Sequence, residues 1–343
     1  MMVGASWITH AIIAVAKLLG GLFAVVIAIL IGFRVAAEFR EGGAAKPAGM
    51  VTFSASGAPV AATVSGPADG PRILLVHGSA GWSGFWSEVS GHLARRGWRV
   101  IAVDLPPYGW SGRDPEQRYD RIAQSKRLAA VLAALEPEPS VVVAHSFGAG
   151  AATELALRHP ERLAQLILVD AALGELDKLD DGAAAKALKF GPLAELVTAA
   201  TVTNPLATGP LIRPMLARKD SADAWIGVLQ APMRRDGTTA AYAAWLPSLF
   251  ESADGALSRR SAGLRAIRVP VTLIWGGADT VTPIDQGRRI AALTRSRSLT
   301  VLPGVGHIPH IEDPPAFLAA LDAALAAEAG QIIARQPPAG TPR

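Results

Sequence analysis

The run Val141-Val142-Val143-Ala144-His145-Ser146-Phe147-Gly148-Ala149-Gly150 constrains the fold more than any other stretch. A β-branched segment leads to one serine, small residues follow, and a helix-like segment begins at Ala151. This predicts a strand, a sharp turn and a helix, with the serine on the turn. Strand and helix cross closely there, so the positions two before and two after the serine must be small; Ala144 and Gly148 satisfy this. Glycine is usual at both, and Ala144 is a mild departure. A serine capping a helix after a buried strand is the lesser, competing account of the pentapeptide until a base and an acid are found elsewhere.

The flanking chain supplies that context. Val51–Phe53 and Val60–Val64 read as a hairpin, and Ile73–Val76, Val100–Val103, Val141–His145, Leu166–Val169, Val271–Trp275 and Leu299–Leu302 as buried strands. Helical segments separate most of them. Alternating strands and helices predict an α/β fold, a mostly parallel eight-stranded sheet covered by helices on both faces. The alternation lapses over 173–268, where helical pieces are broken by Pro192, Pro205, Pro210, Pro214, Pro232 and Pro247 and carry Phe190, Trp225, Trp245 and Phe250. That insert after the sixth strand is expected to be a helical cap, leaving 50–172 and 269–328 as the core. The Pro/Gly-rich 329–343 is expected to be a disordered tail.

The first residues are set apart. Between Ile8 and Phe33 the sole charged residue is Lys17. With Lys17 snorkelling, 8–33 is long enough to span a bilayer, and 34–49 reads as a linker. A cleaved signal peptide, cut at the small residues Val35-x-Ala37, is the alternative. Arg34, Arg40 and Lys46 follow the span and weakly place the rest of the chain on the cytoplasmic side.

The net charge of +4 comes from 33 basic residues interspersed with 29 acidic ones, with no basic run interleaved with aromatics, which argues against nucleic acid. There are no cysteines, so thiol catalysis and disulfides are excluded. No Gly-x-Gly-x-x-Gly or Walker loop follows a strand, so no nucleotide or flavin is expected, and no metal is called for. Oligomeric state is not legible.

Parallel sheets place function at the carboxyl ends of their strands, where Ser79, Ser146, Asp279 and His307 fall. A serine needs an imidazole to take its proton and a carboxylate to fix the imidazole's tautomer. The order Ser146…Asp279…His307 suits that chemistry on this architecture. Asp170 also ends a strand and is the alternative acid. Asp104 and His77 are expected to brace turns, and His145 to point away from the site. His307 and His310 lack the further ligands a metal pair would need.

The chain resembles the α/β-hydrolase fold superfamily, in its capped, serine-nucleophile, esterase- and lipase-like lineage. The resemblance rests on His77-Gly-Ser79, Asp104-Leu-Pro-Pro-Tyr-Gly-Trp-Ser-Gly112, Ala144-His-Ser-Phe-Gly148, Trp275-Gly-Gly-Ala-Asp279 and Gly306-His307. It implies Ser146 as nucleophile, His307 as general base and acid, Asp279 as orienting carboxylate, and the backbone N–H groups of Ser79 and Phe147 as oxyanion hole. Trp82, Phe85 and Trp86 are candidates for the acyl pocket, with ordinary packing the competing account. The implied reaction is hydrolysis of a hydrophobic carboxylic ester, with C–C bond hydrolysis, thioester cleavage or acyl transfer as alternatives on the same triad, and a non-catalytic membrane-tethered scaffold as the other. Ile308, where C–C hydrolases often carry an aromatic residue, speaks against that alternative.

Overall fold

The computed structural model describes residues 4–135, 138–178, 182–250 and 254–335. Its centre is one eight-stranded sheet: β1 (Val51–Phe53), β2 (Val60–Ser65), β3 (Arg72–Val76), β4 (Arg99–Val103), β5 (Ser140–His145), β6 (Leu163–Val169), β7 (Val271–Gly276) and β8 (Ser298–Leu302). The strand order is β1-β2-β4-β3-β5-β6-β7-β8. The hairpin β1–β2 and the β2–β4 pair are antiparallel, and β3 to β8 are parallel. β3 and β5 are apolar and buried on both faces because helices cover both sides, which removes any reason for polar alternation.

The helices are α1 (Gly4–Arg40), α2 (Ser87–Arg95), α3 (Arg121–Ala133), α4 (Phe147–Arg158), α5 (Ala183–Leu188), α6 (Gly191–Ala200), α7 (Pro205–Ile212), α8 (Asp223–Gln230), α9 (Thr238–Trp245), α10 (Ser261–Arg265), α11 (Ile284–Thr294), α12 (Pro309–Glu312) and α13 (Pro314–Arg335). One face of the sheet packs with α3, α4 and α11 in a core holding Leu128, Leu155 and Ile290. The other packs with α2 and α13 through Trp86, Leu93, Phe317 and Leu321. The cap, α5 to α10, joins β6 to β7.

Two boundaries differ from expectation. First, α1 does not end at Phe33 with a linker behind it. Residues 34–40 are its last two turns, since Val-Ala-Ala-Glu-Phe-Arg is compatible with helix and Arg34 pairs with Glu38 at 3.0 Å across one turn. They are also docked: Arg34 Nε donates to Glu195 Oε2 of α6 at 2.8 Å, and Ala37 is 1% exposed. The helix stops before Gly42, whose φ of 110° suits glycine. Second, α13 passes through Gly330 to Arg335, because one glycine among Ala, Glu, Gln and Arg costs only about 1 kcal/mol. The remainder of the expected tail, 336–343, lies outside the described residues. Of the two accounts open for Trp86, pocket or ordinary packing, the structure shows packing in the core. The ring is fully buried and stacked on His310 with ring centres 4.2 Å apart, because the short turn Ser83–Trp86 aims it beneath the sheet towards Phe317.

α1 is long and apolar enough to cross a membrane: Ile12–Arg40 reaches a mean hydropathy of 2.6, and no residue of its most apolar window is fully buried.

Candidate active site

Ser146 sits between β5 and α4 with φ 50° and ψ −121°. A non-glycine residue there is strained, and the surroundings hold it: Ser146 N–H donates to Val169 O at 3.0 Å, and Ser146 O accepts from Ala149 N at 3.0 Å. Gly148 is required by close approach, since a Cβ would collide with the carbonyl oxygen of His77. Ala144 is buried without displacing the turn, which explains why its methyl is accommodated.

The residues expected to act with Ser146 converge on it. His307 Nε2 lies 2.8 Å from Ser146 Oγ, and His307 Nδ1 lies 2.8 Å from Asp279 Oδ2. The Asp279 carboxylate is itself fixed. Val281 and Thr282 N–H donate to Oδ1 at 2.7 and 2.9 Å, and Thr282 Oγ1 donates to Oδ2 at 2.6 Å. Burial opposes ionisation of Asp279, but the hydrogen bonds from His307 and Thr282 outweigh it and hold its pKa below the usual carboxylate range. Such an arrangement can draw the serine proton onto Nε2 while Nδ1–H stays on the carboxylate.

Asp170 also arrives at the site, but in another role. Its Oδ1 accepts from Gly276 N at 2.8 Å, and its Oδ2 makes no hydrogen bond. Burial, joined by the neighbouring Asp279 charge, pushes its pKa well above normal, so it is a neutral acid beside an ionised one. Ligand atoms of Asp170, Asp279 and His307 lie within 4.8 Å of one another, but a protonated Asp170 and an imidazole engaged on both nitrogens make a poor donor set for a cation.

The supporting residues match expectation in kind. Leu105 N–H donates to His77 Nε2 at 2.8 Å, so the ring proton is on Nδ1 and donates to Gly78 O at 2.7 Å. His77 thus braces the Gly78–Ser79 turn, and burial lowers its pKa to about 4, which keeps it neutral. Asp104 accepts from Ser83 N at 2.6 Å and Trp110 N at 2.7 Å. His145 donates from Nε2 to His307 O at 2.8 Å and is held neutral by burial, with a pKa of about 3. The N–H groups of Ser79 and Phe147 have no backbone acceptor among the described residues, and Phe147 opens α4, whose N-terminal end favours negative charge.

The surroundings of the serine are more aromatic than the sequence suggests. Trp245 of α9 meets the Phe147 ring edge-on at 5.5 Å, and Tyr108 packs against Trp245 at 5.0 Å and Tyr242 at 4.8 Å. Tyr108 sits in the quoted Asp104–Gly112 motif, so it had a signal; Tyr242 of α9 had none. Trp82 and Phe85 lie at the seam between core and cap: Trp82 Nε1 donates to Val228 O at 2.6 Å, and Phe85 packs edge-on to Trp225 at 5.5 Å. The cap also supports the histidine directly, since His307 N–H donates to Met215 O at 2.8 Å. Glu312 accepts from Gly306 N and Arg218 N, each at 2.8 Å, and ties the same loop to the cap.

Comparison with known proteins agrees with this architecture. The chain is 29% identical over 252 residues to the 2-hydroxymuconate semialdehyde hydrolase of Pseudomonas sp. (strain CF600), covering 71% of this chain and 83% of that protein. It is 27% identical over 273 residues to the pimeloyl-[acyl-carrier protein] methyl ester esterase of Neisseria meningitidis serogroup A, covering 78% and 82%. Among solved structures, a bacterial membrane phospholipase A superposes with a TM-score of 0.61 at 21% identity, covering 94% of this chain and 99% of that one, which speaks to the fold alone. The family model for the alpha/beta hydrolase fold matches residues 71–314, and the chain belongs to that family.

Proposed function

We propose that this protein is a membrane-anchored serine hydrolase that cleaves a hydrophobic carboxylic ester through an acyl-serine intermediate. The observation that carries this reading is the continuous relay Ser146 Oγ–His307 Nε2 and His307 Nδ1–Asp279 Oδ2, each link 2.8 Å. Ser146 Oγ attacks the acyl carbonyl while Nε2 takes its proton. The developing oxyanion is met by the N–H groups of Ser79 and Phe147, each such donor being worth about 3–4 kcal/mol of barrier. Nε2 then protonates the departing alcohol. Water, activated by the same imidazole, releases the acid. Asp279 remains ionised throughout and holds the ring. Trp82 and Phe85, aromatic side chains at the seam between core and cap, support an apolar acyl group.

The anchor reading is supported by α1. The small-residue site Val35-x-Ala37 that a signal peptidase would use lies within a helix, with Ala37 buried against the cap, and this disfavours cleavage there.

The test is hydrolysis of p-nitrophenyl esters of increasing acyl length by the full chain in detergent micelles, beside Ser146→Ala. Wild-type turnover that rises with chain length and vanishes in the variant supports the proposal. Equal activity in the two refutes it. A wild type inert to every ester but active on a vinylogous semialdehyde acid would move the substrate class towards that of the Pseudomonas relative.

A further inference from the structure

The last turns of α1 are built into the cap, and this fixes how the cap stands relative to the apolar part of the helix. Arg34 meets Glu195, and Arg40 donates to Thr203 O at 3.4 Å, so α6 runs parallel to α1. Ile27, Leu30, Phe33 and Ala37 form the half-buried to buried stripe of α1 at helical spacing, which places the contact well inside the apolar stretch. α9 runs the other way. Thr239 sits at the far end, where its N–H donates to Glu41 Oε1 at 2.7 Å and its Oγ1 lies 2.8 Å from Thr203 Oγ1. Pro247 and Ser248, just past its other end, share a cavity with Leu188 and Gly191 at the start of α6. α6 therefore lies between α1 and α9, and one end of this three-helix layer points along α1 towards the apolar N-terminal half.

That end exposes apolar side chains and lysines, with Glu116 and Glu195 lining the cavity behind them. Phe190 is 65% exposed, Phe250 45% and Leu249 41%, and Lys186 and Lys189 are exposed on and beside α5. Phe190 precedes Glu195 by five positions, which at helical rise puts it about 7.5 Å beyond Arg34 along α1, level with Ile29. The charges on α1 mark the bilayer boundaries: Lys17 and Arg34 are about 26 Å apart along the helix, close to the thickness of a hydrocarbon core.

We infer that this end of the cap is a membrane-contact surface. Phe190, Leu249 and Phe250 enter the boundary between headgroups and acyl chains of the leaflet that α1 leaves, and Lys186 faces anionic headgroups. Elements that lie in that boundary insert by about 5–10 Å, which matches the offset of Phe190 below Arg34. The occupant is a lipid surface because the patch adjoins the apolar stretch of α1, which is long enough to cross a bilayer and has no fully buried residue in its most apolar window. The inference rests on α1 being an anchor, and the experiment separates the two claims.

The chain has no cysteine, so single-cysteine variants can be labelled uniquely. Phe190→Cys, Leu22→Cys and Leu206→Cys are each labelled in the full chain with a polarity-sensitive fluorophore and reconstituted into phosphatidylcholine/phosphatidylglycerol vesicles. Leu22 lies on the free face of α1 and Leu206, 79% exposed, beyond the far end of the layer. The inference predicts that the probes at 22 and 190 shift to the blue and lose about half of their emission to lipids bearing a nitroxide near the headgroup, while the probe at 206 does not change. A quenched probe at 22 with an aqueous, unquenched probe at 190 overturns the inference and leaves the anchor standing. Unquenched probes at both positions overturn the anchor, and the inference with it.

Discussion

Two carboxyl groups compete for the role of orienting acid, and exchanging each for its amide separates them. In Asp279→Asn the amide still fits the cradle of Val281 N, Thr282 N and Thr282 Oγ1, so the fold is preserved. Two of those contacts donate to Oδ1, which keeps the amide oxygen there and turns its NH2 towards His307 Nδ1. The ring must then accept at Nδ1 and carry its proton on Nε2, facing Ser146 Oγ 2.8 Å away. An imidazole in that tautomer cannot take the serine proton, and the expected loss in kcat is about 10⁴-fold, or about 5.5 kcal/mol of barrier. Asp170→Asn replaces a carboxyl that is already neutral and keeps the acceptor for Gly276 N–H. Its expected cost is below about 1 kcal/mol, roughly fivefold. The assay is kcat and KM on one p-nitrophenyl ester for the wild type and both variants, with circular dichroism to confirm folding. A larger loss from Asp170→Asn than from Asp279→Asn would refute the assignment.

Other expectations concern stability. Because burial lifts the Asp170 pKa far above 3.8, the folded chain keeps a proton that the unfolded chain releases, so stability falls as pH rises past that value. Asp170→Asn removes this loss, and its Tm relative to wild type is expected to rise as the pH is raised above about 4 in calorimetric scans. Gly148→Ala forces a methyl against the His77 carbonyl and is expected to cost about 2–4 kcal/mol, read as a lowered midpoint in urea. Glu41→Ala removes the acceptor of Thr239 N–H at the start of α9, and a loss of about 1 kcal/mol is expected by the same measurement.

The positions that converge on Ser146 were legible because each stands where a short apolar strand ends, and both the strand and the turn after it are local in sequence. The elbow, the order Ser146…Asp279…His307 and the eight strands needed nothing more. The choice between Asp170 and Asp279 rested on turn composition, since both residues end strands and both reach the site. What separates them is the orientation of a cradle whose members lie two and three residues away. The cap was legible only as Pro-broken helices. Its tie to the histidine, Met215 O with His307 N, joins positions far apart in sequence and leaves no periodic trace. Pocket and packing stayed open for Trp86 for a related reason: the turn after Trp82 decides which side of the sheet each ring takes, and composition is silent on that. α1 was read from hydropathy, which stops reporting where polar residues begin, although the helix continues to Arg40 because Glu195 and Thr203 receive its arginines.

The central claim is that Ser146 is a nucleophile activated by His307. The most direct measurement is reaction of the full chain in detergent with a fluorophosphonate, followed by peptide mass spectrometry. The account predicts one adduct, on Ser146, absent in Ser146→Ala and formed at a greatly reduced rate in His307→Gln. Labelling that persists in Ser146→Ala, or an adduct carried by Ser79 or another serine in the wild type, would contradict it.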